Sequence, residues 1–123
     1  MITRIKVTGI GFEVDDSMRK YVIKRIGRLD RYLPRHARKS VSAEAKLEQV
    51  DHDHGNKYEA EVILIIPGGP ITAKDSTGSM FAAIDIVEAK IRSQLMDYKQ
   101  ANIAHIGRRR IMSRFKQSFS REL

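Results

Sequence analysis

Cysteine is absent from the 123 residues. That excludes disulfides and thiolate metal centres, and it fits a reducing compartment. Long apolar runs are missing as well. The longest, Val62 to Ile66, is far too short to span a bilayer. The opening MITRIKVTG holds no apolar h-region of a secretory signal. Together these absences point to a soluble, cytoplasmic protein with no membrane partner. Aromatic residues are scarce, at 7%, and no pair of them marks a strand as a base-stacking platform.

No catalytic constellation is visible either. His36, His52, His54 and His105 are scattered, and Ser76, Ser79 and Ser93 have no motif around them. Asp85 and Glu88 lie i, i+3 on a predicted helix and read as a solvent-facing surface pair. Asp51-His52-Asp53-His54-Gly55 contains metal-ligand types. It sits at a hairpin end, however, where Asp, His and Asn serve turn chemistry, and no second ligand cluster completes a set. Pro67-Gly68-Gly69 lacks the P-loop pattern and leads into a strand, so it reads as a turn. The expectation is a protein that is not an enzyme and has no cofactor, metal or small-molecule substrate.

What the sequence does have is positive charge, unevenly spread. The net charge is +8, from 23 Lys/Arg against 15 Asp/Glu. Residues 1–40 hold 11 basic and 4 acidic residues, residues 41–89 hold 3 and 9, and residues 90–123 hold 9 and 2. The ends are basic and the middle is acidic. Two basic segments that meet in the fold would form one positive face, the electrostatic footprint of a polyanion binder.

Periodicity sets the elements. Residues 2–8 alternate as a strand. Asp15 is a good N-cap for a helix whose stripe is Met18, Val22, Ile26, Leu29 and Leu33, closed by Pro34. Residues 40–49 alternate as a strand with one wet face. Residues 57–66 form a second strand, more covered toward its apolar end, and residues 71–75 a short last one. Thr77 would cap a second helix with the stripe Met80, Ile84, Val87, Ile91, Leu95 and Tyr98. The predicted order is β-α-β-β-β-α, an α+β two-layer domain with two helices on one face of a four-stranded sheet. It would occupy residues 1–100. Residues 101–123 read as a basic tail, flexible or ordered on binding.

On the first helix Lys20, Lys24, Arg28, Arg31 and Arg35 recur at 4, 4, 3 and 4, a ridge beside the core stripe. Each helical turn advances such a ridge by about 5.4 Å, the order of the phosphate spacing along a strand. A merely solvated helix face would more often mix signs at i, i+4, and only Asp30 lies near this one. Lys90, Arg92 and Lys99 decorate the second helix, and Arg108–Arg110, Arg114, Lys116 and Arg121 extend the charge into the tail.

Four segments in order, VTGIGFEVDDSMRKYV, IGRLDRYL, IIPGG and SMFAAIDIVEAKIRSQL, resemble the ribosome hibernation promoting factor family, also called ribosome-associated inhibitor A and formerly sigma-54 modulation proteins. The resemblance covers residues 2–100. Its most specific piece is Met80 to Asp85, matching the family's D-M-Y-A-A-I-D, with Ser79 and Phe81 as departures. A second departure lies in Lys90 to Leu95. There the family's Lys-x-x-Arg-Gln-Leu has its arginine one position earlier, at Arg92. The resemblance implies a domain similar to double-stranded RNA-binding domains. It implies binding to the small ribosomal subunit and its 16S-type RNA, in the channel for messenger and transfer RNA, in competition with both. The protein would be monomeric off the ribosome and would keep ribosomes inactive under stress. The family's basic helix positions fall on Lys24, Arg28, Arg31, Lys90 and Lys99, and the acidic hairpin would face away from the RNA. The chain resembles a short form, without the second domain of long members. The competing reading is a general RNA- or DNA-binding protein without ribosome specificity.

Overall fold

The computed structural model describes residues 1–50 and 57–98. The chain runs through β1 (Ile5–Ile10), α1 (Asp16–Gly27), a 3-10 turn (Arg28–Tyr32), α2 (Arg35–Arg38), β2 (Ser42–Gln49), β3 (Tyr58–Ile66), β4 (Gly69–Thr77) and α3 (80–98). One sheet holds the strands in the order β1-β2-β3-β4. β1 pairs parallel with β2, and the other two pairings are antiparallel. A parallel neighbour requires a long crossover, which α1 and the turns after it supply. The expected α+β two-layer domain is therefore present, with α1 and α3 on one sheet face.

Local chemistry accounts for the elements. Asp15 caps α1: its Oδ1 accepts from the Met18 backbone N–H at 2.7 Å, satisfying a donor that a helix start leaves unpaired. Met18, Val22, Ile26, Leu29 and Leu33 are all at most 5% exposed, as are Met80, Ile84, Val87, Ile91 and Leu95 of α3. They meet the inner sheet face, where Ala43, Ala45, Leu47, Ala60, Val62, Leu64 and Ala73 are buried. The register Ala45↔Val62↔Ala73 lines small and branched side chains across three strands. A one-residue slip would turn this set outward, so the core fixes the register. The β3–β4 hairpin turns at Pro67-Gly68. Gly68 and Gly69 take φ of +96° and +125°, values closed to most side chains.

Four details differ from the sequence-based expectation. The helix expected to continue to Pro34 ends at Gly27 and passes into the 3-10 turn. Gly27 is a weak helix former, and its carbonyl accepts from the Ile2 backbone N–H at 2.9 Å, a donor from outside the helix. β1 begins at Ile5 instead of residue 2, though Ile2 is itself buried. β4 is longer than expected and takes in Thr77. Helix α3 therefore starts after Ser79, whose backbone N–H donates to Thr77 Oγ1 at 3.0 Å and whose carbonyl accepts from Ala83 N–H at 3.0 Å. The end of β3 is not more covered. Ile65 is 53% exposed, because it lies on the outer sheet face, where no described residues form a second layer.

The β4 edge is closed by α3. Lys90 Nζ reaches the Lys74 carbonyl at 3.4 Å, Gln94 Nε2 the Thr72 carbonyl at 2.9 Å, and the Tyr98 hydroxyl the Pro67 carbonyl at 3.0 Å. The i, i+4, i+8 spacing of these residues tracks the strand and satisfies carbonyls that an edge leaves open. The Asp51–Asn56 connector and the 101–123 tail lie outside the described residues.

Candidate nucleic-acid interface

The five residues of the expected ridge fall on three elements, Lys20 and Lys24 on α1, Arg28 and Arg31 in the 3-10 turn and Arg35 on α2. Lys20, Lys24, Arg28, Arg31 and Arg35 are all exposed. None makes an ion pair among the described residues. Arg28 and Arg31 fall inside the 3-10 turn, where i and i+3 side chains eclipse. Lys20 to Lys24 and Arg28 to Arg31 each advance about 6 Å along their axes. The 3-10 turn thus keeps the spacing while holding the two arginines on one line. Arg38 fastens that turn: its Nε donates to the Leu33 carbonyl at 3.0 Å and its Nη2 to the Arg31 carbonyl at 3.4 Å. The N-terminal ammonium pairs with Asp30 at 3.0 Å. At the far end Arg35, His36, Arg38 and Lys39 line a surface hollow. His36, Arg38 and Lys39 adjoin Arg35 in sequence but are not part of the period-3.6 ridge series.

Of the α3 candidates, Lys90 and Arg92 have partners within the chain. Lys90 Nζ lies 3.0 Å from Asp75 Oδ2. Bonding to Lys90 is the main influence holding the Asp75 carboxyl below its ordinary pKa, against the opposing effect of burial. Arg92 pairs with Glu88 at 3.7 Å, one helical turn back. Lys99 lies outside the described residues. The structure thus separates the five ridge cations from two that tie α3 to its surroundings.

Of Asp85 and Glu88, expected to face solvent as a pair, Glu88 is buried, whereas Asp85 reaches across the seam between α1 and α3 with its side chain still 43% exposed. Glu88 is 8% exposed. Asp85 Oδ1 accepts from the Tyr21 hydroxyl at 2.5 Å and lies 3.4 Å from Arg25 Nε. The Arg25 guanidinium sits 5.5 Å from the Tyr21 ring centre, and Phe81 meets the same ring edge-on at 4.9 Å. Burial and then the bond to Asp85 raise the Tyr21 pKa, with Arg25 pulling the other way. This cluster joins residues 64 apart in sequence, so no local spacing announces it.

The outer sheet face is different in character. Glu44, Glu48, Glu59 and Glu61 project there among Lys6, Lys46 and Lys74. Lys74 lies 3.1 Å from Glu59 and Lys46 lies 4.0 Å from Glu61. Four acids from the acidic middle of the sequence therefore lie on the sheet face opposite the helices. Among the described residues no group of three His, Cys, Asp or Glu could hold a metal ion, and no helix is long and apolar enough to cross a membrane.

Fold and charge together define an α+β domain with a cationic helical layer and a sheet face of mixed sign. Residues 5–102 match the family described as Sigma 54 modulation protein / S30EA ribosomal protein, and the chain belongs to that family. A ribosome hibernation promoting factor of Azotobacter vinelandii is 29% identical over 100 residues, 81% of this chain and 86% of that one. A ribosome hibernation promotion factor of Deinococcus radiodurans is 33% identical over 95 residues; the match takes 76% of this chain and 48% of the relative, about half its length. The crystal structure of the Thermus thermophilus Protein Y N-terminal domain matches with a TM-score of 0.67 and 29% identity, over 78% of this chain and 99% of that one.

Proposed function

We propose that this chain is a ribosome hibernation factor that binds the small ribosomal subunit through its helical layer and holds it inactive. One observation carries the reading: in a chain of this family, five cations spread over α1, the 3-10 turn and α2 are exposed and unpaired among the described residues. Charges left unpaired on a rigid element suit a phosphate backbone, because binding releases counterions without first breaking internal ion pairs. The names of the relatives supply the biological setting. The site is the channel where messenger and transfer RNA lie, and occupancy there excludes both. The outer sheet face, with its glutamates, points away from the RNA. The action is occlusion, with no bond made or broken.

Reversing charge at Lys24, Arg28 and Arg31 together tests the interface. All three side chains are exposed and off the core stripe, so stability should change little. The expected result is a folded variant that no longer co-sediments with small subunits. A folded triple variant that binds as wild type would remove the ridge as the contact.

A further inference from the structure

Arg25 differs from the ridge cations on the same helix. It is on α1 beside Lys24 and one turn before Arg28, yet its side chain turns into the seam with α3. There it meets Asp85 through Nε, at 3.4 Å, with the Tyr21 ring 5.5 Å from its guanidinium carbon. Tyr21 in turn donates its hydroxyl hydrogen to the same Asp85 oxygen. The guanidinium is thus located from two directions by groups that are themselves joined. Its side chain remains 40% exposed, and that of Asp85 43%.

An ion pair this open to water contributes little to stability, so stability alone does not account for the arrangement. Its geometry does something else. A guanidinium is a planar fork with two usable edges. With Nε toward Asp85 and a hydrogen bond shared with Tyr21, the guanidinium, which has five N–H donors, keeps donors on its exposed side for a further partner. An arginine already held in one orientation also loses less rotamer freedom when that partner arrives. The matching partner is a phosphate of the polyanion on the neighbouring ridge.

We infer that Arg25 is a phosphate-binding residue at the inner margin of the ridge, with Asp85 and Tyr21 as the positioning residues that aim its fork. This rests on the proposed binding of the small subunit by the helical layer. It adds to the ridge a cation with a prepared orientation, and it gives the α1–α3 seam a part in binding.

The test is the affinity for purified small subunits, and its salt dependence, in wild type, Arg25→Ala, Arg25→Lys, Asp85→Asn and the Arg25→Ala/Asp85→Asn pair. Loss of one charge-assisted phosphate contact should weaken binding about tenfold. Arg25→Ala should also flatten the plot of log K against log salt by about 0.7–0.9. Arg25→Lys should keep the slope, since it keeps the charge, while losing affinity with the fork. Asp85→Asn should weaken binding several-fold with the slope unchanged, and should add nothing once Arg25 is alanine. A merely structural seam would not move the salt slope. Wild-type binding with an unchanged slope in Arg25→Ala overturns the inference alone. So does Asp85→Asn binding more tightly than wild type, which would mean that Asp85 withholds Arg25. Failure of the wild-type chain to bind small subunits overturns the functional reading, and the inference with it.

Discussion

Gly9, the penultimate residue of β1, offers a test in which a local rule and the tertiary geometry predict opposite signs. By propensity alone, alanine in a strand interior should be better than glycine by about 0.5–1 kcal/mol. The structure says otherwise. A Cβ at position 9 would lie 2.0 Å from the Phe12 carbonyl oxygen and 3.1 Å from Val14 Cγ2. The closer atom is backbone and cannot swing aside, so the 11–14 segment must retreat by more than an ångström to restore van der Waals contact. Phe12 is held from the other side by an edge-on contact with Tyr58, centroids 5.9 Å apart. Asp15, the cap of α1, follows one residue after Val14. Overpacking costs about 1–3 kcal/mol, and disturbing the aromatic pair about 0.5–1.5 kcal/mol more. Gly9→Ala should therefore destabilise by about 2–4 kcal/mol, lowering Tm by about 10–20 °C. Thermal unfolding followed by far-ultraviolet circular dichroism measures it. A Tm equal to or above wild type would refute the close approach of Phe12 to β1.

Two further perturbations address the polar framework. Asp15→Ala removes the α1 cap and should cost about 1 kcal/mol, read as a lower urea midpoint with an unchanged m-value. The Asp75–Lys90 pair predicts a pH effect. The folded-state pKa of Asp75 is depressed, so its contribution is present above the unfolded carboxylate value of about 3.9 and fades as pH falls through the folded value. Lys90→Met should therefore differ from wild type by a constant amount, no more than about 1 kcal/mol for so exposed a pair, from neutral pH down to about 5, and the difference should narrow below about 4. A gap that instead widened in acid would reverse the assigned sign.

The two hydrophobic stripes and the alternation of 40–49 revealed the architecture because period 3.6 and period 2 are direct consequences of burying one side of a helix or strand. Asp15 was equally plain, since N-cap chemistry is local. The break at Gly27 was not, because it depends on a carbonyl taken by Ile2, 25 positions earlier in the chain. The exposure of Ile65 was hidden for a related reason. A run of apolar residues does not say which sheet face has a layer over it. On the candidate interface, the ridge could be read from spacing alone, but the fate of each cation could not. Lys90 and Arg92 carry the same charge as Lys24, and only the fold reveals Asp75 and Glu88 beside them. Arg25 shows the converse. No spacing distinguished it from its neighbours, and its orientation comes from Asp85, on a helix far along the chain.

The most direct test of the central claim is co-sedimentation of the purified chain with vacant ribosomes at physiological salt, with and without excess initiator transfer RNA and messenger. The account predicts saturation at about one copy per small subunit and displacement by those ligands. Absence of co-sedimentation, with affinity retained for random duplex RNA, would contradict it and leave a general nucleic-acid binder of the same fold.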